Sequence, residues 1–199
     1  MQIEPQASAF AKRYARGEAQ VVWTTLVADL ETPVSAFLKI GGGRPMSFLL
    51  ESVEGGAVRG RYSIIGLEPD LVWRTIDGRA EINRTPRRNG SFTACNEPPL
   101  PALRALVAES RVELPDALPP MAAGIFGYLG YDMVRLMEEL PAPNPDPIGL
   151  PDAVLMRPTV VVVFDAVRDM ITLVTPVRPE KGVTAKTALA RARDRKSVV

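Results

Sequence analysis

Histidine is absent from this sequence of 199 residues, and cysteine occurs once, at Cys95. Without histidine, the chain cannot form a Ser-His-Asp triad, a Cys-His dyad, or a histidine-ligated zinc or haem site. A single cysteine excludes an internal disulfide and a zinc site built from several thiolates, and it fits a reducing compartment. The nucleophilic and metal-dependent sites that require these residues are therefore excluded within the chain.

Long apolar runs are also missing. The densest run, at 160–164, is far shorter than the roughly 18 residues that a membrane-spanning helix needs. The N-terminus carries Glu4 and lacks the charged-then-apolar layout of a secretory signal. Lys plus Arg is 24 and Asp plus Glu is 23, a formal net charge of +1, so no overall field attracts nucleic acid or an anionic membrane. These features predict a soluble, cytoplasmic protein with neither a nucleic-acid partner nor a membrane partner.

Local patterns predict antiparallel strand pairs separated by helices. Asp77-Gly78 lies between two alternating runs, which predicts a β-hairpin, and Thr32-Pro33 predicts a helix start. Strands are predicted over 21–28, 47–53, 61–67, 71–76, 79–83, 122–131, 154–165 and 170–175, and helices over 8–16, 34–40, 101–110, 133–140 and 184–196. This order favours an α+β fold, with antiparallel sheets in a β-sandwich-like core and flanking helices, over a parallel doubly wound sheet.

Two glycine-rich stretches differ from nucleotide-binding loops. The glycines at 41–43 follow a predicted helix and precede a strand, without the lysine of a phosphate-binding loop, so they predict a turn. Three glycines spaced from Gly124 to Gly130 contain no G-x-G pattern, and they favour a strand that passes close to another backbone. Phe126 and Tyr128 share one face of that strand, which predicts core positions.

The segment 48–52 ends an apolar strand with a carboxylate and a hydroxyl, Glu51 and Ser52. Glu51 could bind an ammonium group, and Ser52 could donate to a carboxylate, so the pair suits a small zwitterion. A flat strand places these two side chains on opposite faces, and both reach one ligand only where the strand bends or bulges. Taken alone, the residues favour the simpler interpretation that both are polar positions at a strand edge.

Three ordered blocks resemble the N-terminal region of anthranilate synthase component I. The first is Leu-Leu-Glu-Ser at 49–52 with Arg-Gly-Arg-Tyr-Ser-Ile-Ile-Gly-Leu at 59–67. The second is Gly-Ile-Phe-Gly-Tyr-Leu-Gly-Tyr-Asp-Met-Val-Arg at 124–135 with Glu-Leu-Pro at 139–141, and the third is Val-Val-Val-Val-Phe-Asp at 160–165. The resemblance covers about residues 8–178 and implies the fold of that family.

The resemblance also implies a function in tryptophan biosynthesis. The family is a lyase that converts chorismate and ammonia to anthranilate and pyruvate with Mg²⁺, and its ammonia comes from a glutamine amidotransferase subunit, component II. L-tryptophan inhibits it by binding near the Leu-Leu-Glu-Ser segment. Carried over, this assigns Leu50, Glu51 and Ser52 to the effector site, with Tyr62 and Ser63 on the paired strand expected to line the same pocket.

The chorismate-binding half of the family follows this region and brings a catalytic histidine and Mg²⁺-binding glutamates. Residues 1–180 are therefore expected to form a regulatory domain, and 181–199 a helix with a truncated or tag-derived tail. The chain is expected to hold no catalytic residue, metal ligand or cofactor and to be inactive alone. Two alternatives stay open: the folate-pathway relative, aminodeoxychorismate synthase component I, which Glu51 and Arg-Tyr-Ser disfavour, and a stand-alone tryptophan-binding or amidotransferase-docking module.

Overall fold

A computed structural model gives the structure of residues 2–28, 30–51, 60–88, 90–142 and 145–196. The chain divides into two units, each assembled from separate stretches of sequence. Unit 1 comprises Met1–Glu68, Val112–Gly124 and Pro158–Val199, and unit 2 comprises Pro69–Arg111 and Ile125–Arg157. None of the described helices is long and apolar enough to cross a membrane.

Strands and helices alternate in groups along the described residues. The strands are β1 (Gln20–Val27), β2 (Phe48–Leu50), β3 (Tyr62–Leu67), β4 (Leu71–Ile76), β5 (Arg79–Asn83), β6 (Thr93–Ala94), β7 (Phe126–Leu129), β8 (Ala153–Arg157), β9 (Val160–Asp165) and β10 (Met170–Val177). The α-helices are α1 (Ala7–Ala15), α2 (Pro33–Ile40), α3 (Pro99–Ser110) and α4 (Ala185–Lys196), and 3₁₀ helices cover Pro86–Arg88, Pro120–Ala122 and Tyr131–Leu136. The strands form two antiparallel sheets with flanking helices, which confirms the predicted α+β class.

The sheet of unit 1 has the strand order β1-β10-β9-β3-β2, and every neighbouring pair is antiparallel. Because side chains alternate along a strand, each row of register partners lies on one face. One face carries the row Leu173, Val162 and Ile65 and packs against Ala36 and Ile40 of α2. Helices α1 and α4 pack together and against β1 and β10 through a second apolar cluster.

Helix α2 begins where the sequence predicts. Thr32 Oγ1 accepts a hydrogen bond from the Ser35 amide at 3.1 Å, and Ser35 Oγ accepts one from the Thr32 amide at 2.9 Å. This capping box pairs amides that a helix start otherwise leaves without partners, and Pro33 occupies the first helical position. The glycines at 41–43 form the turn that follows the helix, as predicted.

Unit 2 contains the second sheet, with the strand order β6-β5-β4-β8-β7. Strands β4 and β5 pair around Asp77 and Gly78, whose φ angles are +49° and +68°, as a type I′ hairpin turn requires. The predicted hairpin is therefore confirmed. The fully buried Trp73 belongs to an apolar cluster to which α3 contributes Ala102 and Leu106.

A buried arginine joins three segments of unit 2. Arg157 ends β8, and its side chain is only 8% exposed. It donates to both carboxylate oxygens of Asp70 at 2.7 and 3.2 Å, to Glu109 at 3.2 Å and to Ser110 at 3.4 Å. Arg84 donates twice more to Glu109, and this pairing lowers the pKa of the Glu109 carboxyl. Charge-assisted hydrogen bonds thus hold the ends of α3 and β8 beside the residue that precedes β4.

The predicted strand over 154–165 is wrong, because the structure divides it between two sheets. Strand β8 pairs with β4 and β7 in unit 2, whereas β9 pairs with β3 and β10 in unit 1. Pro158 lies between them, and proline has no amide hydrogen to donate to a strand ladder. The apolar run on both sides of this proline conceals the change of sheet.

Two neighbouring predictions also differ from the structure. The predicted helix over 133–140 is the 3₁₀ helix Tyr131–Leu136, and the predicted strand over 122–131 shortens to β7. Phe126 and Tyr128 are not core residues, since Phe126 is half-buried and Tyr128 is 44% exposed. Their exposure follows from the position of β7 at the edge of its sheet.

Two of the three glycines around β7 permit the predicted close approach. A Cβ on Gly127, whose φ is +155°, would lie 1.9 Å from the Val154 carbonyl oxygen. A Cβ on Gly130 would lie 2.8 Å from the Asp152 carbonyl oxygen. At Gly124, a Cβ would have no neighbour within 4 Å among the described residues beyond its chain neighbours, so the prediction fails there.

Candidate functional site

The predicted site residues lie where β2 ends and β3 begins. Leu50 is the last residue of β2, and Glu51 follows it as an exposed residue. Ser52 lies outside the described residues. Tyr62 and Ser63 are the first two residues of β3. Because Leu50 pairs with Ile64 of β3, the two strand ends lie side by side in the sheet of unit 1.

Tyr62 and Ser63 lie on opposite faces of the sheet. Ser63 is buried and pairs with Phe164, on the face that packs against α2. Tyr62 is half-buried and pairs with Asp165 on the other face. Leu50 shares that face, since its partner Ile64 is two residues from Tyr62. The structure therefore brings Leu50 and Tyr62 to one face and places Ser63 on the other.

A cavity of about 440 Å³ lies on the Tyr62 face of the sheet. Its sheet wall includes Thr25, Thr172 and Val163, which are register partners in three neighbouring strands. The other wall is the segment 116–120, whose Leu118 is buried. All of these residues belong to unit 1. The cavity thus combines a sheet face with a loop wall beside the start of β3.

An ion pair holds a guanidinium over the Tyr62 ring. Arg61 donates from Nε and Nη2 to the two oxygens of Asp165, at 2.9 and 2.6 Å. Its guanidinium carbon lies 4.8 Å from the Tyr62 ring centroid, within cation–π range. Asp165 Oδ1 also accepts hydrogen bonds from the amides of Val167 and Arg168, at 3.1 and 3.3 Å. Asp165 thereby connects the β9–β10 turn to Arg61 and, through it, to Tyr62.

Both members of this pair are strongly biased toward their charged forms. The hydrogen bonds from Arg61 lower the pKa of the Asp165 carboxyl, and the amide of Val167 lowers it further, against an opposing effect of burial. The same hydrogen bonds raise the pKa of the Arg61 guanidinium. The pair is therefore fully ionised at neutral pH.

The cavity offers charges of both signs next to apolar surface. Asp116 and Arg168 line it together with the Arg61–Asp165 pair, and Met170 adds to the apolar wall. An ammonium group prefers a carboxylate and a ligand carboxylate prefers a guanidinium. The arrangement therefore suits a small zwitterion with an apolar side chain. Among the described residues, no group of three or more His, Cys, Asp or Glu side chains is placed to hold a metal ion.

Sequence reasoning missed the four charged residues that line this cavity: Arg61, Asp116, Asp165 and Arg168. Arg61 and Asp165 each lie in a block that resembles the family, but they are 104 residues apart in the chain. Only the pairing of β3 with β9 brings them together. A local pattern carries no signal for such a contact, and Asp116 and Arg168 lie outside every recognised block.

Comparison with other sequences identifies several relatives that are anthranilate synthase components. No protein-family profile matches the chain. Anthranilate synthase component 1 of Cereibacter sphaeroides is 51% identical over 187 residues, which cover 94% of this chain and 37% of that protein. The same component from Thermus thermophilus is 41% identical over 172 residues, with 85% and 35% coverage. The Synechocystis component is 39% identical over 171 residues, with 85% and 33% coverage. The chain thus spans about a third of the length of these curated relatives.

A solved structure shares the fold. It is the crystal structure of anthranilate synthase component I from Streptococcus pneumoniae, with a TM-score of 0.53 and 21% sequence identity. The match covers 86% of this chain and 35% of the solved chain. The sequence relatives show the family that the three blocks indicate: the chain is a homologue of anthranilate synthase component I and corresponds to its N-terminal region.

Proposed function

We propose that this chain is the regulatory N-terminal part of anthranilate synthase component I and contributes the site at which L-tryptophan inhibits the enzyme. One observation carries the proposal. Tyr62 lines a cavity whose paired charges and apolar walls suit a zwitterion with a large apolar side chain. Leu50, at the end of β2, lies on the same face of the sheet but does not line this cavity. The effector site then comprises Leu50, Glu51, Ser52 and Tyr62, with Ser63 supporting the strand from the opposite face.

Within this site, each kind of group has a separate task. The tryptophan ammonium group pairs with a carboxylate, and its carboxylate group pairs with a guanidinium or the Ser52 hydroxyl. The Tyr62 ring offers the indole an aromatic contact, and Arg61 fixes the orientation of that ring. Inhibition requires that tryptophan bind an inactive arrangement of the whole enzyme more tightly than the active one.

The catalytic chemistry belongs to the whole enzyme. Chorismate and ammonia are converted to anthranilate, pyruvate and water, a lyase reaction, with ammonia from a glutamine amidotransferase subunit, component II. The described residues do not fit Mg²⁺, because no three or more of their His, Cys, Asp and Glu side chains lie close enough together to hold a metal ion. We assign the metal to the part of the enzyme beyond this chain.

Calorimetric titration of L-tryptophan into the 199-residue protein tests the effector site. L-phenylalanine is the matched ligand, and Ser91→Ala, which changes an exposed serine of unit 2, is the matched control for Ser52→Ala. Loss of one hydrogen bond at Ser52 should weaken tryptophan binding by up to about tenfold. Selective binding also argues against the folate-pathway relative. Absence of selective binding in both this chain and a full-length enzyme that contains it would refute the proposal.

A second assay tests inactivity of the chain alone. The protein is incubated with chorismate, an ammonium salt and Mg²⁺, and anthranilate is followed by its fluorescence. We expect no anthranilate, whereas a full-length enzyme with the same N-terminal sequence should form it under the same conditions. Anthranilate formed by the purified 199-residue chain would overturn this part of the proposal.

A further inference from the structure

A second cavity, of about 630 Å³, lies within unit 2 and takes no part in the proposed function. Its walls are the β4–β5 turn, part of the 3₁₀ helix Tyr131–Leu136 and the segment 146–152. The charged residues that line it are Asp77, Asp132, Asp146, Asp152 and Arg135. Arg135 donates to Asp132 at 2.6 Å, and the other residues in this lining set include no second cation. The cavity is therefore strongly negative.

Both burial and this negative charge act on Asp152. Burial raises the pKa of its carboxyl, and the negative charges of Asp132, Asp77 and Asp146 raise it further. A cationic ligand in the cavity would supply the opposite charge and so lower the pKa that the neighbouring carboxylates raise. The cavity thus has the electrostatic character of a site for a positively charged group.

One residue that lines the same cavity carries a buried hydroxyl without a partner. Thr75 is 1% exposed, and its buried Oγ1 has no hydrogen-bond partner among the described residues. Thr75 lies on the same face of β4 as Trp73. Trp73 belongs to the apolar cluster that also contains Met133, which lines the cavity. A buried polar atom without a partner is costly unless a ligand pairs with it. A ligand that brings N–H donors would satisfy this oxygen as well as the carboxylates.

The segments that line the cavity carry exposed apolar side chains. Leu150 lines it, and Tyr131, Met137 and Ile148 are each next in sequence to a lining residue. These four side chains are 63–83% exposed. A small free cation would leave them in water, whereas a polypeptide segment would cover them. Apolar surface of this kind around an anchoring pocket is typical of protein-docking sites.

We propose that this cavity anchors a docking surface for a partner protein, which inserts an arginine side chain flanked by apolar residues. Arginine fits better than lysine because its planar guanidinium carries five N–H donors, enough to meet several carboxylates and the Thr75 oxygen together. The aliphatic part of the side chain contacts Met133 and Leu136 on the wall, and the flanking apolar residues cover Leu150 and its neighbours. This inference does not depend on tryptophan binding in unit 1.

Nuclear magnetic resonance of the ¹⁵N-labelled 199-residue protein tests the docking surface. The probe is the blocked tripeptide acetyl-Leu-Arg-Leu-amide. One matched probe replaces arginine by citrulline, which keeps the shape and removes the charge, and another replaces both leucines by glycine. We expect the arginine probe to shift the amides of Thr75, Gly78 and Gly149, and each matched probe to bind at least about fivefold more weakly.

Two variants and one control variant sharpen the test. Asp152→Asn should weaken binding of the arginine probe by about two- to fivefold. The control Asp169→Asn, which changes an exposed aspartate of unit 1, should leave binding of the probe unchanged. Thr75→Val removes the unpartnered hydroxyl at nearly constant shape. This variant should keep or raise the thermal stability of the free protein and still weaken binding of the arginine probe. A purely structural role for Thr75 does not produce this combination.

Several results would overturn the proposal. Equal binding of the citrulline probe would show that no cation is recognised, and equal binding of the glycine-flanked probe would indicate a site for free cations. Shifts confined to other residues, or no shifts, would place the surface elsewhere. Self-association that Asp152→Asn abolishes, measured by sedimentation, would identify a second copy of the chain as the occupant instead.

Discussion

Tyr62 and Ser63 are adjacent in sequence, yet the sheet predicts opposite outcomes when they are changed. The Tyr62 side chain lines the 440 Å³ cavity, whereas Ser63 lies on the face packed against α2. If this cavity binds tryptophan, Tyr62→Leu should weaken binding. Ser63→Ala should change it little, because the serine hydroxyl has no path to a ligand through the strand. The pair of variants therefore tests which face of β3 meets the effector.

The expected size of the Tyr62 effect follows from its contacts. An aromatic pair contributes about 0.5–1.5 kcal/mol beyond the area it buries, which corresponds to a two- to twelvefold change in Kd. The loss should lie toward the upper end of that range, because the substitution also removes the ring that Arg61 stacks on at 4.8 Å. For Ser63→Ala we expect a change in Kd below twofold.

Calorimetry is the appropriate assay, since ligand and protein both contain tryptophan and fluorescence would mix their signals. Circular dichroism and thermal unfolding should first establish that both variants fold. Tyr62→Phe serves as the matched variant, because it keeps the ring and should bind nearly as the parent protein does. The reasoning fails if Ser63→Ala, folded normally, loses tenfold in affinity while Tyr62→Leu binds unchanged.

Three further predictions concern stability. Arg157→Met should lower the free energy of unfolding of unit 2 by about 2 kcal/mol, because its two carboxylate partners lose their charge-assisted hydrogen bonds but can still reach water. Arg157→Lys should recover part of the lost free energy in urea titrations. An unchanged urea midpoint for Arg157→Met would contradict the prediction. Gly127→Ala should break the β7–β8 pairing, since its Cβ would lie 1.9 Å from the Val154 carbonyl oxygen, and fast hydrogen exchange at the β7–β8 amides would reveal the loss. Arg61 is the main cause that lowers the pKa of the Asp165 carboxyl from its ordinary value of 3.8. The ionised carboxylate therefore stabilises the fold fully above the ordinary pKa, and this stabilisation is lost as the pH falls through the lowered pKa. The difference in Tm between the parent protein and Asp165→Asn should shrink from pH 7 to pH 3.

Features set by neighbouring residues could be predicted from the sequence. The Asp77-Gly78 hairpin and the Thr32 cap depend on two to four consecutive residues, whose preferred φ values or side-chain hydrogen bonds decide the local structure. The close backbone approach at Gly127 and Gly130 could also be predicted, because such an approach leaves no room for a side chain. These local patterns do not identify a family. The resemblance of the three sequence blocks to a known family does.

Features set by distant pairing could not be predicted. The apolar run around Pro158 has the same composition on both sides, and only the partners of β8 and β9 reveal that it enters two sheets. The core positions predicted for Phe126 and Tyr128 failed because alternation does not say whether a strand is central or at an edge. The contact of Arg61 with Asp165 likewise exists only once β3 and β9 are in register.

The interleaving of the two units fixes the order in which their strands become available during synthesis. Strands β1, β2 and β3 leave the ribosome early, but β1 joins the others only through β9 and β10, which occupy the middle of the sheet of unit 1. Unit 2 has all its strands once Arg157 has emerged, before β9 is made. The nascent chain therefore has every strand of its inserted unit first, whereas β1 lacks its sheet partner β10 until Val177 has been made. This interval is the period in which a cotranslational chaperone would have most to protect.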